Sequence, residues 1–298
     1  MCGIVGLYMK TNKYAGELGR LSASMLHEMR ERGPDSAGFA VYGEAEATDK
    51  MVLLSKTGET DWVDLATRLT KATGLDVDQN PVWDHAVFHI SGDGTKARRW
   101  IIENAHDVTV LSQGRSIEVF KGVGYPDDVA ERFNLAGRAG THAIAHTRMA
   151  TESAVTTAGS HPFSTGADTC LVHNGSLSNH NRLRTELRRN GESFQTENDS
   201  EVAAGYLAWR MREGDNVDDA LTHALKDLDG FYTFAIGTAD GFAVLRDPIA
   251  CKPAVIAETD DWVAMSSEFR AIATLPDVGH AEIWEPSPSK IYSWSHAA

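Results

Sequence analysis

Three helical segments in succession, hemmed in on both sides by short apolar strands, limit the folds open to this chain more than any other feature. Helical periodicity is read at about 178–190, 199–213 and 217–228, the last with Val217, Leu221, Ala224, Leu225 and Leu228 on one face. Buried-strand patterns precede them at Ala143 to Thr147 and Thr169 to His173. Four more follow in close order, at 231–238, 242–246, 252–257 and 261–266, and then a helix at 268–274. The amino-terminal end has a similar alternation. It shows a strand at 3–9, a helix at 15–31 with Leu18, Leu21, Met25, Leu26 and Met29 on one face, a break at Gly33-Pro34-Asp35, and a strand from Gly38 to Tyr42. Every sheet and every one-faced helix must bury its apolar side against another element. Two sheets packed face to face and covered outside by helices meet that requirement, so the pattern predicts an α+β fold with αββα layering.

The middle of the chain carries strand patterns at 51–56, 86–90, 107–112 and 116–121, and helices at 61–72 and from Pro126 to Phe133. These read as a lobe inserted at about 44–140 into a single domain spanning 1–298. A chain of 298 residues with 42% hydrophobic residues can bury one large core, and 26 Gly against 9 Pro is no collagen-like or disordered mixture. No run approaches the ~18 apolar residues of a membrane helix, and the start has no basic leader, so neither membrane nor secretion is expected. Three scattered cysteines, Cys2, Cys170 and Cys251, cannot build a disulfide scaffold, a thiolate zinc site or an iron–sulfur cluster, and they fit a reducing cytoplasm. A net charge of −14 would repel a phosphate backbone, which argues against nucleic acid as a partner. His85 with His89, and His142 with His146, are four apart. On a strand that spacing is ~13 Å, too far for one ion, so no metal is expected. Ser91-Gly92-Asp93-Gly94 lacks the Gly-Lys-Ser/Thr ending of a phosphate loop.

Cys2 is the residue with the most chemical content. Removal of the initiator Met would leave it with a free α-amine of pKa ~7.7–8.0 beside a thiol of ~8.5. The amine can then serve as general base for its own side chain, so nucleophile and base arrive on one residue. A small buried hydrophobe at the head of a strand is the plain alternative.

The run Cys2-Gly3-Ile4-Val5-Gly6 resembles the opening of class II glutamine amidotransferases, which are N-terminal-nucleophile hydrolases. Further motifs match in the family's order. Arg32-Gly33-Pro34-Asp35-Ser36-Ala37-Gly38 resembles R-G-x-D-S-A-G, and His146-Thr147-Arg148-Met149-Ala150-Thr151 resembles H-T-R-W-A-T. His173-Asn174-Gly175 resembles H-N-G, and Glu197-Asn198-Asp199-Ser200-Glu201 resembles T-x-x-D-[ST]-E. The resemblance implies the four-layer αββα sandwich of that class.

It also implies roles. Arg148 would pair with the substrate α-carboxylate, where a guanidinium fork gives two parallel hydrogen bonds; a structural ion pair is the alternative. Asp199 would receive the α-ammonium, or else cap the helix that it opens. Asn174 and Gly175 would form the oxyanion hole, or a tight turn, or both. Met149 and Thr151 fall with the substrate contacts. Arg32 and Asp35 read as structural residues near the site. Two positions depart from the family: Met149 replaces an aromatic residue, and Glu152 stands where some members have His.

The stand-alone size, the long insertion and the segments Gly114 to Lys121 and Thr151 to Thr157 resemble a narrower group, the glutamate-synthase-related glutaminase subunits. That group includes the small subunit of N-methylglutamate synthase. Its partners would be a glutamate-synthase-like FMN subunit and a β-helix-type subunit. This chain itself would hold no cofactor, and FMN with any iron–sulfur cluster would sit in a partner. The substrate would be glutamine or another γ-glutamyl amide. A solitary amidohydrolase and a non-catalytic docking subunit are the competing readings.

Overall fold

The computed structural model describes residues 2–149 and 155–296. Its first sheet is antiparallel and has seven strands. In spatial order they are β14 (Glu282–Trp284), β12 (Val255–Glu258), β13 (Trp262–Ser266), β1 (Gly3–Met9), β8 (His142–Arg148), β2 (Ser36–Tyr42) and β7 (Ile117–Val123). The second sheet has the order β15 (Ile291–Ser295), β11 (Gly241–Arg246), β10 (Gly230–Gly237) and β9 (Cys170–Leu177), again antiparallel. The two pack face to face: Cys170, Val172, Ala235, Phe242 and Val244 share one core with Ile4, Ala40 and Ile144. Period-two alternation turns the intervening residues outward, so Leu171, Phe234, Ile236 and Leu245 join a second core.

That second core is closed by α5 (His180–Arg189), α6 (Asp199–Arg212) and α7 (Val217–Asp227), through Leu183, Leu187, Val202, Tyr206 and Leu221. On the far side α1 (Leu18–Glu28), α4 (Pro126–Arg132) and α8 (Phe269–Ile272) cover the first sheet, with Leu21, Met25, Val129 and Ile272 buried. The chain therefore has four αββα layers. No helix among the described residues is long and apolar enough to cross a membrane.

The inserted lobe is narrower than the 44–140 read from sequence. A third antiparallel sheet, β4 (Asp76–Val82), β5 (His85–Ser91), β3 (Asp49–Ser55) and β6 (Val108–Gly114), carries α2 (Trp62–Thr73) and α3 (Gly94–Asn104) over a core of Met51, Leu53, Leu65, Phe88 and Ile101. Residues 117–132 belong to the main body instead, because β7 pairs with β2 along its whole length and α4 packs on the same layer as α1.

Candidate active site

β1 runs down the middle of the first sheet, between β13 and β8, and Cys2 stands at its head. A Cβ on Gly3 would lie 3.0 Å from that of Met29, so Gly3 backs onto the helical layer. Alternation then turns Cys2 toward the second sheet. The Cys2 carbonyl accepts hydrogen bonds from Arg32 Nε at 3.0 Å and from Asn174 Nδ2 at 3.4 Å. Arg32 also pairs with the Glu268 carboxylate, which locks the guanidinium in place. Among the described thiols Cys170 is buried and Cys251 exposed, whereas Cys2 is half-buried. Burial pushes the Cys170 thiol well up, leaving it inert.

Asn174 and Gly175 lie near the end of β9. Gly175 has φ +152°, and a Cβ there would fall 2.0 Å from the Phe231 carbonyl oxygen, so only glycine fits. Arg148 ends β8. The β1–β8 register sets Gly3 opposite Thr147, and Cys2 and Arg148 are each next in the chain to that pair. The Arg148 guanidinium donates to Gly159 O at 3.3 Å. Asp35 ties this corner through its backbone: its N–H donates to Arg148 O, and its carbonyl accepts from Gly124 N.

Asp199 opens α6, yet it is not the cap. Asn198 caps the helix, its side-chain oxygen accepting from Ser200 N at 2.9 Å. Asp199 sits in the first turn, where the helix dipole favours an anion. Its Oδ2 accepts from Leu177 N at 2.9 Å, which joins the end of β9 to the head of α6. Asn198 Nδ2 donates to the same Gly159 carbonyl that Arg148 uses, at 3.2 Å. One carbonyl thus links the arginine and the head of the helix that carries the aspartate. Met149 is exposed beside them. Thr151 lies outside the described residues, as does Glu152.

Behind these groups His146, His161 and His173 are buried together. The His146 and His161 rings stack at 4.0 Å, His146 Nε2 meets His173 O at 3.1 Å, and His173 Nδ1 meets Ser200 Oγ at 2.8 Å. Burial pushes all three down, His146 to about 3 and His161 well below its ordinary value, so they are neutral packing elements near pH 7. His146 and His173 belong to the motifs read from sequence. His161 and Gly159 were not singled out, and a Ser-His-Pro run just past the arginine motif was their only signal; Asn198 stood inside the Asp-Ser-Glu motif but was given no role. No group of three or more His, Cys, Asp or Glu among the described residues is placed to hold a metal ion. Two broad surface grooves, of about 620 and 630 Å³, lie over α1–α4 and beside Lys10 and Asp261, and neither contains Cys2.

Residues 146–274 match the family described as a glutamine amidotransferase domain. The chain is 52% identical over 298 residues to the glutamine amidotransferase-like protein GlxB of Rhizobium meliloti, covering 99% of each. It is 31% identical over 190 residues to the amidophosphoribosyltransferase of Methanocaldococcus jannaschii, covering 61% of this chain and 40% of that one. In fold it superimposes on glutamine phosphoribosylpyrophosphate amidotransferase from B. subtilis with a TM-score of 0.63 at 22% identity, covering 99% of this chain and about half, 47%, of that one. The fold is that of the N-terminal-nucleophile hydrolases, and the chain belongs to the glutamine amidotransferase family.

Proposed function

We propose that this chain hydrolyses the γ-amide of glutamine, with Cys2 as nucleophile. The observation that carries the reading is the convergence of Arg32 and Asn174 on the Cys2 carbonyl, with Cys2 and Arg148 each next in the chain to the Gly3–Thr147 pair of the strand register. Removal of Met1 frees the α-amine, which takes the thiol proton. The thiolate attacks the carboxamide carbon, and the developing oxyanion is met by Asn174 Nδ2 and the Gly175 N–H. Losing one such donor typically costs ~10²–10³ in rate. Ammonia departs with the proton returned by the amine, leaving a γ-glutamyl thioester that water hydrolyses. Arg148 receives the α-carboxylate and Asp199 the α-ammonium. Thr151 and Met149 complete the substrate contacts, while Arg32 and Asp35 hold the corner.

The finer reading places the chain in a multi-chain synthase of the N-methylglutamate synthase type. It passes ammonia or a small amine to a glutamate-synthase-like FMN subunit accompanied by a β-helix-type subunit. Flavin and any iron–sulfur cluster belong to those partners, and the three scattered cysteines suit a cytoplasmic setting. In support, exposed apolar side chains adjoin the site in the chain: Met149 follows Arg148, Phe231 abuts Gly175, and Phe269 follows Glu268. A partner that covers the site would bury them. Met149, a flexible thioether where relatives carry a ring, leaves room for a leaving nitrogen larger by one methyl, a difference worth ~1–3 kcal/mol.

A glutamine-like diazo-ketone should label Cys2 and neither Cys170 nor Cys251, and Cys2→Ala should abolish glutaminase activity. Labelling elsewhere would overturn the catalytic assignment. For the finer reading, kcat/KM is compared for glutamine and γ-glutamylmethylamide, alone and with the partner chains. Discrimination against the methylamide beyond about a thousandfold in both states, more than one methyl can supply, leaves plain ammonia supply as the function.

A further inference from the structure

Lys121 is almost fully buried on β7, opposite Gly38 of β2, at the end of the Gly114 to Lys121 segment, with no role read for it from the sequence. Its ammonium donates to three backbone carbonyls, Ala158 O at 3.0 Å, Ser160 O at 2.8 Å and Pro162 O at 3.3 Å, and sits 4.5 Å above the Phe163 ring. Those contacts use its full complement of three donors. The carbonyls belong to a strap, residues 158–163, that crosses the first sheet at Gly38. A Cβ at Gly38 would lie 2.3 Å from His161 O, so that glycine is what lets the strap lie flat. Glu201 shares the neighbourhood, but its carboxylate is taken by Gln195 N, Thr196 N and Thr196 Oγ1.

A buried ammonium spent wholly on backbone is an expensive way to fill space, since its desolvation cost reaches several kcal/mol. Its product is a fixed backbone. Within the pinned segment the one carbonyl between those of 158 and 160 is that of Gly159, which accepts from Arg148 and from Asn198, the cap of the helix that bears Asp199. We infer that Lys121 is a positioning residue for substrate recognition: its ammonium pins the 158–162 strap, and the Gly159 carbonyl of that strap orients the Arg148 guanidinium. This rests on the reading of Arg148 as the α-carboxylate receptor, and the test separates the two.

Two diazo-ketones of glutamine length serve as probes, both without an α-amine, one ending in a carboxylate and the other in a methyl group. Each alkylates a thiol with loss of N₂, so the ratio of their rates at Cys2, followed by peptide mass, reports carboxylate recognition. Thiol ionisation and diazo chemistry cancel in that ratio. In the intact chain at pH 7 the carboxylate probe is favoured. Lys121→Met should lower the ratio about tenfold, the size of one charge-assisted contact, with the methyl-ended rate within about twofold of wild type.

The wild-type chain gives a second measurement that needs no variant to fold. Burial pushes the Lys121 pKa down to about 8, with Glu201 of α6 and Cys170 of β9 acting the other way. The other groups facing it are His161 of the strap and His85 of β5, both held neutral by burial, and the Cys170 thiol stays protonated. Lys121 is therefore the member of this set that titrates just above neutrality. The ratio should fall between about pH 7 and pH 9 in wild type. A ratio unchanged in both measurements, or both rates falling together, overturns the positioning role. A wild-type chain that shows no carboxylate preference at pH 7 overturns the assignment of Arg148 instead.

Discussion

Asp199→Asn separates what holds the site together from what would hold the substrate. In the structure the carboxylate does local work: Oδ2 accepts from Leu177 N, Oδ1 accepts from Ser200 Oγ, and the charge sits in the first turn of α6. Asparagine keeps an acceptor oxygen for Leu177 N, so the junction between β9 and α6 persists. What disappears is the charge. Its interaction with the helix dipole is worth ~0.3–1 kcal/mol, so stability should fall by about 1 kcal/mol and Tm by a few degrees. A charge-assisted contact to the substrate ammonium is worth ~1.5–3 kcal/mol, or roughly 10- to 150-fold in kcat/KM for glutamine. The assay pairs glutamine with its des-amino analogue, the monoamide of glutarate, which carries the same carboxylate and carboxamide but no ammonium. Asp199→Asn should lower kcat/KM for glutamine by that factor and leave the glutarate amide within about threefold, collapsing the preference between them. Asp199→Ala should add ~1–3 kcal/mol of instability by stranding the Leu177 N–H. If Asp199→Asn lowers both substrates equally, the carboxylate is a structural link and the ammonium is recognised elsewhere.

Gly175→Ala would place a Cβ 2.0 Å from Phe231 O at a backbone angle of +152°; it should cost ~1–3 kcal/mol in strain and ~10²–10³ in kcat. Gly191→Ala is the control, since Gly191 also has positive φ but no atom within 4 Å of a Cβ; it should cost about 1 kcal/mol and leave kcat unchanged, and equal kcat losses in the two variants would remove the oxyanion argument. Acid stability tests the buried histidines. His142 and His146 fall from 6.5 to about 3 in the folded chain because burial disfavours the cation. The unfolded chain therefore binds more protons below 6.5, and stability present above that pH is lost as pH falls toward 3. At pH 5 each removes about 2 kcal/mol, so thermal melts at pH 7, 6 and 5 should show a steep drop in Tm, and a flat Tm over that range would mean that these rings are not held neutral.

Sequence periodicity located most strands of the two main sheets because their residues are buried on one or both faces, and burial is what hydrophobic patterns record. Where burial fails, so does the pattern. β4 reads Asp-Val-Asp-Gln-Asn-Pro-Val and is half-exposed; its Pro81 is tolerated because the strand lies at the edge of the lobe sheet. β14 and β15 are edge strands with exposed positions and went unread for the same reason. α3 hides behind Lys96, Arg98 and Arg99, burying only Gly94, Ala97 and Ile101. The lobe boundary failed differently. β6 and β7 lie two residues apart and have the same apolar look, yet β6 joins the lobe sheet and β7 the main one. Which sheet a strand joins is decided by pairing, and one chain's periodicity does not record its partners.

The site divides along the same line. Cys2, Arg32, Arg148, Asn174 and Asp199 could be singled out because each couples a distinctive side chain to a recognisable run, and Gly175 because it completes such a run. The alternative reading of Asp199 as the helix cap does not hold, since Asn198 caps α6 and the Asp199 carboxylate accepts from Leu177 N. The groups that aim those side chains were not legible. Gly159 contributes only a carbonyl, and the Lys121 ammonium donates only to carbonyls, which every residue type supplies alike. A lysine amid Val119, Phe120 and Gly122 could be noticed as odd in a buried strand, but nothing in the sequence says that a strap 37 to 41 residues further on would come back to cover it. Backbone acceptors have no sequence signature, so a residue that acts on substrate through backbone becomes visible only when the fold brings the strap and the ammonium together.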